Sequence, residues 1–297
     1  MNNSIKKVKI GDVDFKSKFF DIVSGSTSLK PYLNNKSEIF HIVPFRNVES
    51  VDGNDIAKVE KDKIQSAIDF LKEKIPWLNI DKNGKIVYDF DDAINVSKNA
   101  EAIDMESFEQ SLIDNTDFKS LDEFNEYLFK MVDLAGYNTS DGVVTAAMYL
   151  AYIYPKLTGR TIEYTEPGES TDGYRRGLTS DIKFDCRAFV WWCLYNGGFV
   201  WATNDDGKIL NHSHSFIDWV YEKGMVRDGY DSAKPGDVVL SREHVLLVVG
   251  TYDGGYYTAE AQTNGLVVMQ RSFENLEANG YTIVDMDQYY SKYKLRN

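Results

Sequence analysis

An α+β architecture is expected for this chain, with helices leading and an antiparallel sheet following. Three observations predict it. Apolar residues recur at spacings of three and four in several stretches between residues 57 and 158, the signature of helices with one buried face. Consecutive β-rich runs separated by turn residues crowd into 234–284. Between them stands a helix pattern opened by Asp185-Cys186 and followed by Gly197-Gly198. The texture changes at Ser120, so two domains are expected: a smaller mixed α/β domain over 1–120 and an α+β domain over 121–297.

In the first domain, residues 1–20 alternate weakly through Val8, Ile10, Val13 and Phe15, which suits a short strand or two. Residues 21–56 mix short apolar runs with Asn, Ser and Gly. His41 sits inside one such run, Ile39 to Pro44, where a hydrogen-bonded structural histidine is expected rather than a ligand. Ile64, Ala67, Ile68, Leu71 and Ile75 define an amphipathic helix over 57–75, with Pro76 just beyond it. The Asn83-Gly84 turn supports a small hairpin between Ile80 and Ile86–Tyr88. Asp89, Asp91 and Asp92 lack the alternating ligands and closing Glu of a calcium loop and read as a solvated turn. Phe108 to Ile113 is a short acidic helix. No spacing in 1–120 demands chemistry, and a targeting, pocket-covering or scaffolding role is left open.

The second domain opens on Ser120-Leu-Asp-Glu, a capping box. Its helix runs through Phe124, Leu128, Met131, Val132 and Ala135 to Gly136. Asn138-Thr-Ser-Asp starts another, apolar over most of its surface, which Pro155 and Gly159 are expected to end. Residues 160–182 are a long polar loop, suited to a binding-site wall. Asp185 then caps the helix that places Cys186 in its first turn. There the free N–H groups and the helix dipole favour a thiolate; the plainer reading is a buried thiol. A turn is expected at Asp205-Asp206-Gly207 and a short helix over Ser215–Tyr221. Strand-like runs follow at 234–241, 243–250, 256–262, 266–269 and 281–284.

His244 opens one of these strands. A hairpin centred on Asp253-Gly254 sets Glu260, Gln262 or a residue between them opposite it, and the two-residue period puts Glu260 and Gln262 on one face. A cysteine at a helix start, a histidine at a strand start and a polar residue on the adjoining strand are the parts of a nucleophile, a base and an orienting group. Glu260 lies among small apolar residues in Thr-Ala-Glu-Ala, where a buried unpaired carboxylate is costly. Pairing with His244 resolves that cost, and a solvent-facing position on a half-exposed sheet is the alternative.

Composition excludes other classes. Net charge is −13, with 17 basic against 21 acidic residues over 1–120 and 16 against 25 over 121–297. An acidic chain lacks the basic face that nucleic acid requires, and its surface does not suit attraction to anionic membranes or anionic wall polymers. Cys186 and Cys193 stand about 10 Å apart along one helix, too far for a disulfide. Two cysteines and four scattered histidines make no structural zinc pattern. No apolar run approaches a membrane span. The N-terminus has a basic start and no apolar core of a leader peptide, so either export does not use a classical leader or the leader lies outside this sequence.

Asp185-Cys186 with Phe189-Val190 resembles the Asp-Cys-Ser-Gly-Phe-Val signature of the NlpC/P60 family of papain-like cysteine peptidases. Lys234-Pro-Gly-Asp-Val-Val and His244-Val-Leu-Leu-Val-Val-Gly resemble that family's Pro-Gly-Asp strand and histidine strand, in the same order. Tyr195-Asn-Gly-Gly-Phe and Ala135-Gly-Tyr-Asn-Thr-Ser-Asp-Gly-Val-Val add to the likeness, which spans roughly 121–290. The resemblance implies a papain-like domain that hydrolyses peptides of the bacterial cell wall without a cofactor. Cys186 is then the nucleophile and His244 the base. The third position falls on Glu260 or Gln262. We take Glu260, because the related CHAP amidases carry a glutamate there, often with an asparagine soon after, here Asn264. Tyr164 resembles the family's tyrosine near the cysteine, and the helix-start N–H groups would hold the oxyanion. Arg187-Ala188 replaces the usual Ser-Gly. Asp185 alone is therefore left of the pair that binds a substrate amine in some members, and Arg187 becomes a candidate for a substrate carboxylate, with Gln262 a further substrate contact. The resemblance also implies an extracellular or wall-associated place in a bacterium, a cytoplasmic one being the alternative. A CHAP-like amidase or acyl transferase on the same scaffold, and a silent binding or regulatory protein, are the other readings of the same residues.

Overall fold

The computed structural model describes residues 9–10, 13–14, 53–171, 175–200 and 213–295. His41 and the turn expected at Asp205–Gly207 lie outside them. The chain divides into two compact units, one of residues Met1–Lys63 and one of residues Ile64–Arg296. In the first, β1 (Lys9–Ile10) and β2 (Val13–Asp14) form an antiparallel pair with Lys9 opposite Asp14. Helix α1 (Gly53–Lys74) runs across the division.

The boundary expected at residue 120 instead falls inside the second unit. Helix α2 (Phe90–Asn99) lies against the distant strand β8 (Gly265–Ser272), where Val268 N donates to Ser97 Oγ at 3.0 Å. Strand β3 (Glu101–Ile103) pairs in parallel with β4 (Arg160–Ile162). Phe108 of α3 (Met105–Asn115) stacks on Tyr154 with ring centroids 3.9 Å apart. Ser120 caps α4 (Leu121–Ala135), its hydroxyl accepting from Glu123 N. The capping box therefore marks the start of a helix and not of a domain.

Two local expectations change. The Asp89–Asp92 cluster is the start of α2 rather than a solvated turn: Asp89 accepts from Asp92 N, and Asp92 takes Lys156 Nζ and Tyr152 Oη, each at 2.6 Å. Of Pro155 and Gly159, the two residues expected to end one helix, Pro155 lies inside it and Gly159 ends it. Helix α5 (Ser140–Met148) widens into a π turn (Tyr149–Ile153) and resumes as α6 (Tyr154–Thr158). Proline is tolerated in a first helical turn, where its missing N–H is not needed, and the wide turn before it makes Pro155 part of such a turn. Gly159, at φ +70°, then ends the helix.

The main sheet is five-stranded and antiparallel, in the order β8, β7 (Gly255–Gln262), β6 (Val245–Tyr252), β5 (Val238–Leu240), β9 (Thr282–Ile283). Helix α7 (Cys186–Asn196) lies against β6 and β7, where Ala259 and Ala261 leave room for it. Leu246, Val248 and Tyr256 alternate to the other face and pack with Leu276 of α9 (Phe273–Ala278) and with Ile283. Burial on both faces explains why β6 is an unbroken apolar run. The remaining helices are α8 (Ser213–Glu222) and α10 (Met286–Lys292). Helices α2, α9 and α10 were not foreseen in the sequence. Among the described residues no helix is long and apolar enough to cross a membrane.

Candidate active site

Asp185 caps α7 as its sequence suggests, accepting from Ala188 N at 2.7 Å, and Cys186 occupies the first turn. Both cysteines are free. Cys186 is 7% exposed and Cys193 is fully buried, which pushes the Cys193 thiol well above its ordinary range. The two glycines that close α7 have different tasks. Gly198 supplies the left-handed residue at φ +103°, whereas Gly197 is right-handed and allows a close approach: a Cβ there would stand 2.4 Å from Val143 Cγ2 of α5.

The loop before Cys186 is tied down by buried amides. Asn125 bridges Leu178 N and Leu178 O at 2.8 and 2.9 Å, while Asn196 accepts from Gly177 N and Trp192 Nε1 donates to Gly177 O, both at 2.7 Å. Tyr164 forms a bridge with Phe184, which sets it beside the cysteine. Burial, then the negative charges of Cys186 and Asp185, push its hydroxyl up to about 12.

His244 directly precedes β6. Its backbone is held by Ser241, whose N–H donates to His244 O at 2.8 Å and whose hydroxyl accepts from His244 N at 3.1 Å. The imidazole meets one expected partner directly, with Nε2 3.0 Å from Glu260 Oε2, and stands near enough to Cys186 for the thiol to act on its pKa. With Nε2 turned to Glu260, Nδ1 is the nitrogen left for the thiol. Burial works against the imidazolium, but the hydrogen bonds and negative charges of Cys186 and Glu260 outweigh it and hold the pKa at about 9.

Glu260 is completely buried and saturated with donors. Arg271 of β8 binds it with Nε on Oε1 at 2.8 Å and Nη2 on Oε2 at 2.7 Å. Thr258 Oγ1 donates to Oε1 at 2.6 Å and Gln262 Nε2 to Oε2 at 2.5 Å. Against the cost of burial, these contacts and His244 hold the Glu260 carboxyl down at about 2. Of the two residues left open by the sequence, Glu260 is thus the partner of His244, and Gln262 supports Glu260. Asn264 is exposed in the β7–β8 turn.

Asp185 and Arg187 face each other and not open space. Arg187 Nη2 lies 3.6 Å from Asp185 Oδ2, and its guanidinium sits over the Trp191 ring at 4.8 Å. Ser170 of the preceding loop donates to Asp185 Oδ2 at 2.8 Å and accepts from Arg187 Nη2 at 3.1 Å. A loop hydroxyl thus joins Asp185 and Arg187. Asp237, from the Pro-Gly-Asp stretch, is a strut. It accepts from Lys234 N, Met286 N and Arg227 Nε, and so fixes β5 to α10.

Sequence reasoning missed Arg271, Ser170 and Tyr281. Tyr281 is buried and feels the charges of Arg271, Glu260 and Cys186. It also lines a shallow pocket with Tyr221, Arg227 and Tyr230 that does not include Cys186. Among the described residues no three His, Cys, Asp or Glu side chains are grouped to hold a metal ion. Comparison with protein-family models, curated proteins and solved structures finds no significant match.

Proposed function

We propose that this chain is a papain-like cysteine peptidase that hydrolyses peptide bonds of bacterial peptidoglycan, in the stem peptide or cross-bridge, at or outside the cell wall. One observation carries the reading: a single imidazole is held by a buried, ionised glutamate and stands beside a cysteine at a helix start. That is the arrangement nucleophilic acyl transfer needs. The wall-peptide substrate comes from the resemblance of the Asp-Cys, Pro-Gly-Asp and histidine-strand motifs.

In this reaction His244 takes the thiol proton and Cys186 Sγ attacks the peptide carbonyl carbon. Backbone N–H groups at the start of α7 steady the oxyanion. The imidazolium then gives its proton to the departing amine, leaving a thioester on Sγ. His244 next takes a proton from water as the water attacks the thioester. The carboxylic acid leaves, and the proton returns to Sγ. Glu260 keeps the imidazole oriented throughout.

The test is digestion of purified bacterial cell wall by wild type, Cys186→Ala and His244→Ala, with released fragments identified by mass spectrometry. Wild type should create new carboxyl and amino termini at one peptide bond, and both variants should lose at least about a hundredfold in rate. Equal hydrolysis by Cys186→Ala would sink the proposal. Fragments lengthened by a transferred acyl group would mark an acyl transferase instead.

A further inference from the structure

The charged side of the site holds more than a triad needs. Glu260 has no solvent exposure, so its charge has to be balanced inside the protein. His244 offers one contact, at 3.0 Å. Arg271 offers two, at 2.7 and 2.8 Å, one to each carboxylate oxygen. A guanidinium fork is the stronger and geometrically stricter partner, and it keeps its charge at every accessible pH.

The other groups around this centre do not take its place. Thr258 and Gln262 are neutral donors to Glu260. Tyr281 is neutral below its raised pKa. On the cysteine side, Tyr164 is likewise neutral, and Asp185 and Arg187 face each other. Among the described residues, Arg271 is thus the permanent cation in contact with Glu260.

We infer that Arg271 is a positioning residue that cancels the charge of Glu260, so that Glu260 orients His244 as a neutral group would and the imidazolium charge is left for the Cys186 thiolate. This rests on the cysteine-peptidase reading above. With Arg271 in place, Cys186⁻, His244⁺, Glu260⁻ and Arg271⁺ sum to zero. Without it, Glu260 claims the imidazolium as its own counter-ion, and a buried site with a net negative charge holds the thiol proton to higher pH.

The experiment is iodoacetamide alkylation of the full chain against pH, followed by intact mass. Cys193 is fully buried and its thiol is pushed up by that burial, so the reaction reports Cys186. His244→Ala tests the dyad first: if it leaves the wild-type profile unchanged, the peptidase reading itself falls. Given a dependence on His244, Arg271→Met should move the alkylation midpoint up by about one pH unit, roughly tenfold in rate on the acid side. Arg271→Lys, which keeps the charge, should stay within about threefold of wild type. The double variant Glu260→Gln/Arg271→Met, which removes both charges together, should recover most of the loss. An unmoved midpoint in Arg271→Met, or a double variant as slow as the single one, overturns the inference. If Arg271→Met does not fold, the double variant and Arg271→Lys decide the matter: a raised midpoint in either overturns it, and wild-type midpoints in both support it.

Discussion

His244 Nε2 and Arg271 Nη2 meet on one oxygen atom, Oε2 of Glu260, at 3.0 and 2.7 Å. The carboxylate is thereby shared between a titratable cation and a permanent one, and several measurable properties follow.

The first concerns His244. Its folded pKa of about 9 lies above the ordinary 6.5. Folding therefore favours the protonated form, and the stability this adds is full below pH 6.5 and is lost as pH rises through about 9. The thermal midpoint of the wild type should fall across that window, and that of His244→Gln should change less. An imidazole that titrates near 6.5 by NMR in the folded protein contradicts this.

The second concerns Glu260, whose carboxyl is held at about 2 against an ordinary 4.5. Its stabilisation is present above pH 4.5 and is lost as pH falls through about 2. Removing the carboxylate leaves the partly buried Arg271 without its partner. Glu260→Ala should therefore lose on the order of 3 kcal/mol at neutral pH, the cost of breaking a buried ion pair from one side. Urea denaturation measures it, and a loss under about 1 kcal/mol speaks against the pairing.

The third separates scaffold from chemistry. Asp237 is buried and accepts from two backbone N–H groups and Arg227. Asp237→Ala should cost about 3 kcal/mol. At temperatures where the variant is folded, its Cys186 alkylation profile should match wild type. A shifted profile would give Asp237 a part in the chemistry.

The fourth tests the contact between α5 and α7. Gly197 has a right-handed backbone, so alanine is conformationally acceptable there. Its Cβ, however, would lie 2.4 Å from Val143 Cγ2 and 2.8 Å from Val143 N. Crowding should win over the entropic gain, and Gly197→Ala should destabilise by about 1–3 kcal/mol. A stabilised variant in thermal unfolding would mean that the helices do not approach so closely.

Much of the site is readable in the sequence because its signals are local. Asp185 caps by side-chain chemistry alone, and the two-residue period places Glu260 and Gln262 on one face. The choice between them is not local. The β6–β7 register shifts by one residue between Val248 and Gly250. The register beyond the shift, carried on to His244, sets Gln262 and not Glu260 opposite it, so the contact with Glu260 is made diagonally and is not read from strand pairing. Arg271 has a signal that went unread: a two-residue turn at Thr263-Asn264 pairs Tyr256 with Arg271, on the same face as Glu260. Helix α2 was missed because its acidic first turn resembles a solvated loop, and only Ala93 and Ser97 are buried along it. The misplaced boundary has a related cause. The contacts that join α2 and β3 to the sheet bridge residues far apart in sequence, as from Ser97 to Val268, and no local pattern announces them.

The two tight turns also bear on how the site assembles. His244, Glu260 and Arg271 follow one another along a meander whose strands are joined at Asp253-Gly254 and Thr263-Asn264. Closing such short loops costs little chain entropy, and contacts between near neighbours in sequence are the quickest to form. Cys186 arrives from a separate part of the chain, when α7 docks on β6 and β7. A refolding molecule is therefore expected to join its carboxylate to the guanidinium and imidazole before the nucleophile is delivered, so that thiol reactivity should appear after the meander has formed.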